Sequence, residues 1–144
     1  MRLRTFRAGT QLFGIFEDEI ATVAEWRAPA PLPHAPSAVL GVVSIQGRML
    51  TVLDPVRVLD ETPVQNGLSW NSIVALRGDE QLALAVEQEL EAVEVAQSGQ
   101  QNPPGDNRAV CGVLRNGDQT INVIEVKELF STAMRGRERR RRRF

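Results

Sequence analysis

The sequence repeats itself at a spacing of 70 to 71 residues, and this repeat limits the possible folds more than any other feature. Residues 11–23 resemble residues 81–93 at a shift of 70, and residues 41–59 resemble residues 112–130 at a shift of 71. The matching segments occur in the same order in both copies, and chance similarity does not usually preserve both order and spacing. The pattern indicates an internal duplication in which each copy forms the same small unit.

Each copy begins with a pattern that is typical of a β-hairpin. The segments TFRAGTQLFGIF (residues 5–16) and NSIVALRGDEQLALAVE (residues 71–87) contain apolar runs separated by glycine-containing turns. A copy of about 70 residues with about five short strands is too small for a two-sheet sandwich, so it closes its edges most economically as a small barrel. We predict a mainly β fold of two five-stranded, SH3-like barrels with short helical segments, formed by about residues 1–60 and 61–134, with strands able to exchange across the boundary.

Polar segments and a capping signal mark where the regular elements end. Residues 60–71 and 97–107 are rich in Pro, Gly, Asn, Gln and Ser, which predicts surface loops. Asp54 directly precedes Pro55 at the end of an apolar run, an order that suits an N-cap followed by proline at the first helical position. We therefore expect Asp54 to cap a short helical turn, and Glu125 to have the same structural role in the second copy.

The chain offers few residues of the types that catalysis requires. It has one histidine, His34, and one cysteine, Cys111, and it contains neither a GxxxxGK[ST] phosphate-binding loop nor a GxSxG nucleophile motif. A metal site would need further ligands close to these two residues, and the sequence supplies only scattered acids. The sequence therefore predicts a protein that is not an enzyme and that uses no cofactor or metal.

The distribution of apolar and charged residues bears on where the protein works. No apolar run approaches the roughly 18 to 20 residues of a membrane span, and residues 1–9 lack a signal-peptide pattern. A single cysteine also excludes an intramolecular disulfide, so we expect a cytoplasmic protein. Residues 1–134 hold 10 basic and 17 acidic residues, a net charge of −7, whereas residues 135–144 hold seven arginines. We expect an acidic globular domain followed by a disordered, arginine-rich tail.

Four segments resemble the CheW family of bacterial chemotaxis coupling proteins. They are FGI, PLPHAPSAVLGVVSIQGRMLTVLD, IVALRGDEQLALAVEQELEAVEV and AVCGVLRNGDQTINVIEVKELF, and the likeness covers about residues 5–131. The resemblance implies two five-stranded barrels with a groove between them. It also implies a scaffold or adaptor in signal transduction, which links membrane-bound receptor arrays to a histidine kinase by protein–protein interaction. The expected partners are the regulatory domain of the kinase and the cytoplasmic tip of the chemoreceptor.

The resemblance further implies which residues meet these partners. Ile20 and Val23 would line the groove, with Gly41 where the backbone must pass closely. The family usually has N-L-R-G where this chain has residues 44–47, so Gln46 replaces a typical arginine, and Thr22 replaces a frequent glutamate. Arg48 is a candidate substitute for the missing positive charge. The predicted partner-binding residues are Ile20, Thr22, Val23, Gly41, Gln46, Gly47 and Arg48.

The arginine-rich tail leaves an alternative function open. Clustered arginines neutralise phosphates, and small barrels often bind nucleic acids, so a small-barrel nucleic-acid-binding module is the second hypothesis. The acidic body and the absence of a basic-aromatic strand pattern disfavour this alternative. The other possibilities are a solvated tail without a partner, attraction to an acidic partner or to anionic lipid, and folding of the tail over the acidic body.

Overall fold

The structure describes residues 1–59, 69–95 and 108–134 of the chain, and it is a computed structural model. The predicted loop 97–107, most of the predicted loop 60–71 and the arginine-rich segment 135–144 lie outside the described residues. Strands dominate the described part, which confirms the prediction of a mainly β fold.

The two copies form corresponding strands in the same order. The first copy contains β1 (Arg2–Ala8), β2 (Gln11–Phe16), β3 (Ile20–Glu25), β4 (Val39–Ile45) and β5 (Arg48–Leu53), with a 3-10 turn at Glu17–Glu19 and the helical turn α1 (Pro55–Leu59). The second copy contains β6 (Ser72–Leu76), β7 (Leu82–Val86), β8 (Gln88–Glu89), β9 (Val93–Glu94), β10 (Val110–Asn116) and β11 (Gln119–Ile124), with a 3-10 turn at Val126–Glu128 and the helix α2 over residues 129–134.

These strands form two sheets with equivalent topology. The six-stranded sheet has the order β10-β11-β2-β1-β8, with β9 also paired to β1, and the five-stranded sheet has the order β4-β5-β7-β6-β3. In each sheet the first hairpin of one copy lies beside the later strands of the other copy, because β11 pairs in parallel with β2 and β5 pairs in parallel with β7. The two copies therefore exchange their N-terminal hairpins, and every sheet contains strands from both.

Three apolar clusters hold the sheets together. One cluster lies on a face of the five-stranded sheet and contains side chains from β4, β5, β6 and β7. A smaller cluster belongs to the six-stranded sheet and includes Leu3, Ile121 and Val123. The largest cluster combines side chains from both sheets, among them Phe6 and Phe13, so the two sheets share a common core. Burial of this much apolar surface is the dominant stabilising contribution to such a fold.

Strand β7 shows why the sheets pack on both faces. All five of its residues are buried, and side chains alternate along a strand between the two faces of the sheet. Leu82, Leu84 and Val86 belong to the shared core, while Ala83 and Ala85 belong to the cluster of the five-stranded sheet itself. The near-continuous apolar sequence LALAV is what a strand needs when both of its faces are covered.

Asp54 and Glu125, the acids that follow the last strand of each copy, have different structural roles. The backbone N–H of Val56 donates a hydrogen bond of 3.0 Å to Oδ1 of Asp54, and Pro55 is the first residue of α1. The predicted N-cap at Asp54 is confirmed. The backbone carbonyl of Glu125 accepts from the N–H of Glu128, but its side chain makes no capping hydrogen bond. The prediction that Glu125 caps in the same way is wrong, because its longer side chain leaves this turn uncapped.

Candidate partner-binding surface

Strand β3 carries three of the predicted partner-binding residues and lies at the end of the five-stranded sheet. Thr22 and Val23 pair with Ala75 and Val74 of β6, and both are half-exposed. The side chain of Ile20 is only 5% exposed and belongs to the shared core. Sequence reasoning placed Ile20 in the lining of a groove, whereas the structure turns its side chain inward, because β3 begins where the two sheets meet.

The turn between β4 and β5 carries three more of these residues. Gln46 and Gly47 both have positive φ, 50° and 78°, and this pair of values is that of a two-residue type I′ hairpin turn. Both residues are exposed, and Arg48 is half-buried. Nη2 of Arg48 donates a hydrogen bond of 3.3 Å to the carbonyl oxygen of Gly78. The guanidinium group therefore ties the β4–β5 turn to the loop between β6 and β7.

Gly41 lies at the opposite end of the β4–β5 hairpin, at a bulge. Its φ is 147°, and a Cβ atom at this position would lie 2.8 Å from the carbonyl carbon of Ala30. The segment before β4 crosses here, because Ala30 and Val42 exchange two backbone hydrogen bonds of 2.8 Å. The backbone does pass closely at Gly41, as expected, and the segment that it meets belongs to the chain itself.

A groove lies next to the residues that Arg48 braces. It encloses about 320 Å³ between the β6–β7 loop and the 3-10 turn that follows β11, so its walls come from both sheets. Leu76, Leu82 and Val126 supply apolar surface. The remaining lining residues are Arg77, Gly78, Asp79, Glu80, Gln81 and Lys127.

Arg77 connects this groove, called here the junction groove, to strand β3. Its Nε donates to the carbonyl oxygen of Ile20 at 3.2 Å, and its backbone N–H donates to the carbonyl oxygen of Glu19 at 2.9 Å. The structure thus brings the start of β3, Arg48 and the β6–β7 loop together around one groove, and Gly41 stays apart. Sequence reasoning read residues 77–80 only as a hairpin turn, since a one-dimensional pattern does not show that the turn faces the other sheet.

The carboxyl group of Glu19, close to the junction groove, is partly buried and lies among other charged groups. Oε2 of Glu19 is buried and has no hydrogen-bond partner within the described part of the chain. Burial raises the pKa of the Glu19 carboxyl above its ordinary value, and the nearby charges of Glu125 and Asp18 raise it further, while Lys127 opposes them. Burial and the charge of Glu125 also raise the pKa of the Cys111 thiol, which favours the unreactive protonated form.

Over residues 1–59, 69–95 and 108–134, no group of three or more His, Cys, Asp or Glu side chains is arranged to hold a metal ion. None of the helices in the same three ranges is long and apolar enough to cross a membrane. The junction groove and the β4–β5 turn therefore remain the features around which most of the predicted partner-binding residues are arranged.

Comparison with known proteins decides the family. The sequence model of the CheW-like domain matches residues 2–134, which is nearly the whole chain. The chain belongs to the CheW-like domain family. Both copies of the duplication fall within the matched range, while the arginine-rich segment lies beyond it. The family resemblance seen in the four sequence segments is confirmed.

Individual CheW-like relatives are distant in sequence but similar over most of their length. The chemotaxis protein CheW of Treponema pallidum is 22% identical over 140 residues, covering 91% of this chain and 82% of the relative. Protein FrzA of Myxococcus xanthus is 28% identical over 134 residues, covering 89% of this chain and 84% of the relative.

A solved structure of the family has the same fold. The crystal structure of the scaffolding protein TtCheW from Thermoanaerobacter tengcongensis aligns with a TM-score of 0.77 at 19% sequence identity. The alignment covers 90% of this chain and 86% of that protein. The similarity confirms the predicted two-subdomain architecture.

Proposed function

We propose that this CheW-like chain is a non-enzymatic adaptor that couples chemoreceptors to a histidine kinase in chemotaxis-type signal transduction. The family match over residues 2–134 is the observation that carries the proposal. Relatives that align over most of their length are named as chemotaxis proteins, and the similar solved structure is a scaffolding protein. The absence of a catalytic motif in the sequence agrees with a role in assembly.

In this proposal the protein works in the cytoplasm and joins receptor arrays through its partners. It binds the kinase regulatory domain and the cytoplasmic receptor tip at the same time, and no bond is made or broken. A change in receptor geometry reaches the kinase because it alters the populations of the bound states, to the extent that the interfaces differ in free energy between them.

The junction groove and the adjacent β4–β5 turn are the proposed partner surface. The groove combines apolar walls with charged residues of both signs at its rim, namely Arg77, Asp79, Glu80 and Lys127. An apolar centre with a polar rim is the usual composition of a protein–protein interface. Half-exposed Thr22 and Val23 extend this surface along β3, and buried Ile20 supports it from the core.

Gln46 and Thr22 give this surface a different charge from the one that the family resemblance implies. Neutral residues stand where the family often has an arginine and a glutamate, so neither position presents an unpaired charge. Gln46 is exposed at the tip of the turn, where a charge would act mainly on a partner. We propose that the neutral pair lowers the electrostatic contribution to partner binding and changes partner preference.

Nucleic-acid binding remains the competing function, and no feature of the part of the chain that the structure describes favours it. The body that the family match covers is acidic by seven charges, which opposes the approach of phosphates. Any contribution from the arginines can be removed experimentally by using residues 1–134 alone. Binding of residues 1–134 to a kinase regulatory domain, together with no binding to single-stranded DNA, is the expected result.

The proposed surface is tested by making the same chemical change in the corresponding hairpins of the two copies. Gln46→Arg changes the β4–β5 turn, and Gln119→Arg makes the same chemical change at an exposed position in the corresponding hairpin of the other sheet. We expect Gln46→Arg to alter the Kd for the kinase regulatory domain several-fold, about 1 kcal/mol, with an unchanged free energy of unfolding. Gln119→Arg should leave the Kd unchanged. Equal Kd values for both variants and the unmodified chain would show that the β4–β5 turn is not part of the interface.

A further inference from the structure

The β6–β7 loop, residues 77–81, forms one wall of the junction groove and extends beyond the pairing of its own hairpin. The register between β6 and β7 ends at the pair Ala75 and Ala83. All five loop residues are exposed, so side-chain packing contributes little to the path of the loop. Gln81 also has a φ of 54°, a left-handed conformation that residues with a side chain rarely adopt. The position of this wall therefore depends on contacts with neighbouring elements.

Hydrogen bonds from strand β5 hold both halves of this loop. Nη2 of Arg48, the first residue of β5, donates to the carbonyl oxygen of Gly78. The backbone N–H of Thr51 donates to the carbonyl oxygen of Gln81 at 2.9 Å and continues the parallel pairing of β5 with β7. Any residue except proline can form this second bond, because it uses the backbone. The first bond depends on the side chain, so Arg48 is the anchor of the loop that is specified by residue type.

We propose that Arg48 is a positioning residue that holds the β6–β7 loop in place as a wall of the junction groove and thereby sets the affinity of the groove for its partner. A binding surface that is already held in its bound shape loses less conformational entropy when the partner arrives. The effect on affinity rests on the proposed function, since it requires a partner in the groove. The hold on the loop is a property of the chain alone.

The direction of the Arg48 side chain argues against a role as the missing partner-facing charge. The family resemblance made Arg48 a candidate for that role because residue 46 is glutamine in this chain. The guanidinium group instead donates to a carbonyl oxygen of the same chain. The two roles differ in their salt dependence, because salt screens a charge that acts on a partner and acts much less on a hydrogen bond to a neutral carbonyl.

Hydrogen exchange of the unbound chain tests the hold on the loop without any partner. The informative amides are those of Arg77 and Thr51, whose N–H groups donate the backbone hydrogen bonds at the two ends of the loop. We expect Arg48→Ala to accelerate exchange at both amides about fivefold, which is the effect of losing one hydrogen bond. The amides of Ala30 and Val42, which bond to each other elsewhere in the same sheet, should exchange at unchanged rates.

Arg27→Ala is the matched control, because Nη1 of Arg27 also donates to a main-chain carbonyl oxygen, that of Ser44 at 3.1 Å. It removes the same charge and the same kind of hydrogen bond from the five-stranded sheet, and Arg27 does not line the junction groove. Exchange at Arg77 and Thr51 should be unchanged in this variant. Equal acceleration by both variants, or no acceleration by Arg48→Ala, would overturn the hold on the loop.

The consequence for binding is measured as the Kd for the kinase regulatory domain and for a fragment of the receptor tip, at about 0.1 M and about 1 M salt. Arg48→Ala should weaken the binding of at least one partner about fivefold relative to the unmodified chain at both salt concentrations, and Arg27→Ala should not. An unchanged Kd for both partners, or an effect that disappears at high salt, would overturn the positioning role. If the unmodified chain binds neither partner, the adaptor function and the effect on affinity are both contradicted, and the exchange rates still decide whether Arg48 holds the loop.

Discussion

Gly41 shows how a single residue can determine the path of the chain. Its φ of 147° is unfavourable for a residue with a side chain, and a Cβ atom would overlap the carbonyl group of Ala30. Gly47 also has a positive φ, but nothing lies within 4 Å of the place where its Cβ would be. A side chain at Gly47 would therefore meet only an unfavourable φ, whereas a side chain at Gly41 would meet an unfavourable φ and a steric clash.

We predict that Gly41→Ala is much more destabilising than Gly47→Ala. The cost at Gly47 should be about 1 kcal/mol, from the positive φ alone. The cost at Gly41 should be about 2–4 kcal/mol, because the crossing of Ala30 over Val42 must also shift. Urea denaturation of both variants measures the difference. Equal losses would show that the crossing segment adjusts freely.

Glu19 is a carboxyl group whose surroundings disfavour its charge. Burial, and then the charges of Glu125 and Asp18, raise its pKa in the folded state above the value of 4.5 for a free side chain. The folded state therefore binds this proton more tightly than the unfolded state does. Stability from this group is complete at low pH and falls as the pH rises from about 4.5 through the higher pKa of the folded state.

We predict that Glu19→Gln raises the free energy of unfolding at pH 7, by less than about 1 kcal/mol because Glu19 is half-exposed. The gain should shrink as the pH is lowered through the raised pKa of the folded state, and it should have disappeared below about 4.5, where the carboxyl is protonated in both states. Denaturation at several pH values measures it, with Glu25→Gln at an exposed site as the control. A gain that does not depend on pH would contradict the assigned cause.

Asp54 and Ile20 show what the sequence can and cannot predict about single residues. The cap at Asp54 depends on neighbours in the chain, namely Pro55 and the N–H of Val56, so local sequence was sufficient to predict it. The burial of Ile20 depends on which face of β3 meets the other sheet. The mixed apolar and polar sequence around Ile20 does not show which side chains of β3 face the other sheet.

At the scale of elements, the short helical turns after β5 and β11 differ in how they begin. Side-chain capping at Asp54 satisfies a backbone donor of α1, while no side chain caps the turn that begins after Glu125. We predict that Asp54→Ala lowers the free energy of unfolding by about 1 kcal/mol, because the N–H of Val56 loses its acceptor. Asp54→Asn should retain most of the stability.

Glu125→Ala is the matched control for this prediction. It removes the corresponding acid from the second copy, and it should change stability by less than about 0.5 kcal/mol, since no capping hydrogen bond is lost. Thermal unfolding of the three variants measures these effects. Equal destabilisation by Asp54→Ala and Glu125→Ala would contradict the difference between the two turns.

Most of the strands could be predicted from the sequence because their signals are local. Both predicted hairpins are present, as β1–β2 and β6–β7, and the duplication correctly places corresponding strands in the same order. The contact between Arg48 and Gly78 was not predicted, because it joins two turns that lie 30 residues apart. The junction groove was missed for the same reason, since the β6–β7 loop and the 3-10 turn after β11 are distant in the sequence and belong to different sheets.

At the scale of the whole molecule, the exchange of hairpins makes the two copies depend on each other. The parallel pairs β2–β11 and β5–β7 join residues of different copies in both sheets. A repeat of about 70 residues predicts two equivalent sheets, but the same repeat is compatible with pairing within a copy or between copies. Sequence alone therefore left the exchange as one of two possible arrangements.

We predict that neither copy folds by itself. Fragments of residues 1–68 and 69–134 should each lack a cooperative thermal transition, because each leaves strand edges and part of the shared core exposed. An equimolar mixture should regain the β-sheet circular dichroism spectrum and a cooperative transition. Cooperative folding of either fragment alone would show that the exchanged pairing is not required.

Physical bridging of a chemoreceptor and a kinase by this chain can be measured in a sedimentation experiment. Membranes that contain a chemoreceptor are sedimented with a kinase regulatory domain, with and without residues 1–134 of this chain, so that the arginines cannot contribute. We predict that the kinase domain sediments only when the chain is present, in an amount that saturates as the chain is added. If folded chain binds neither component and the kinase domain stays in solution, the adaptor function is contradicted.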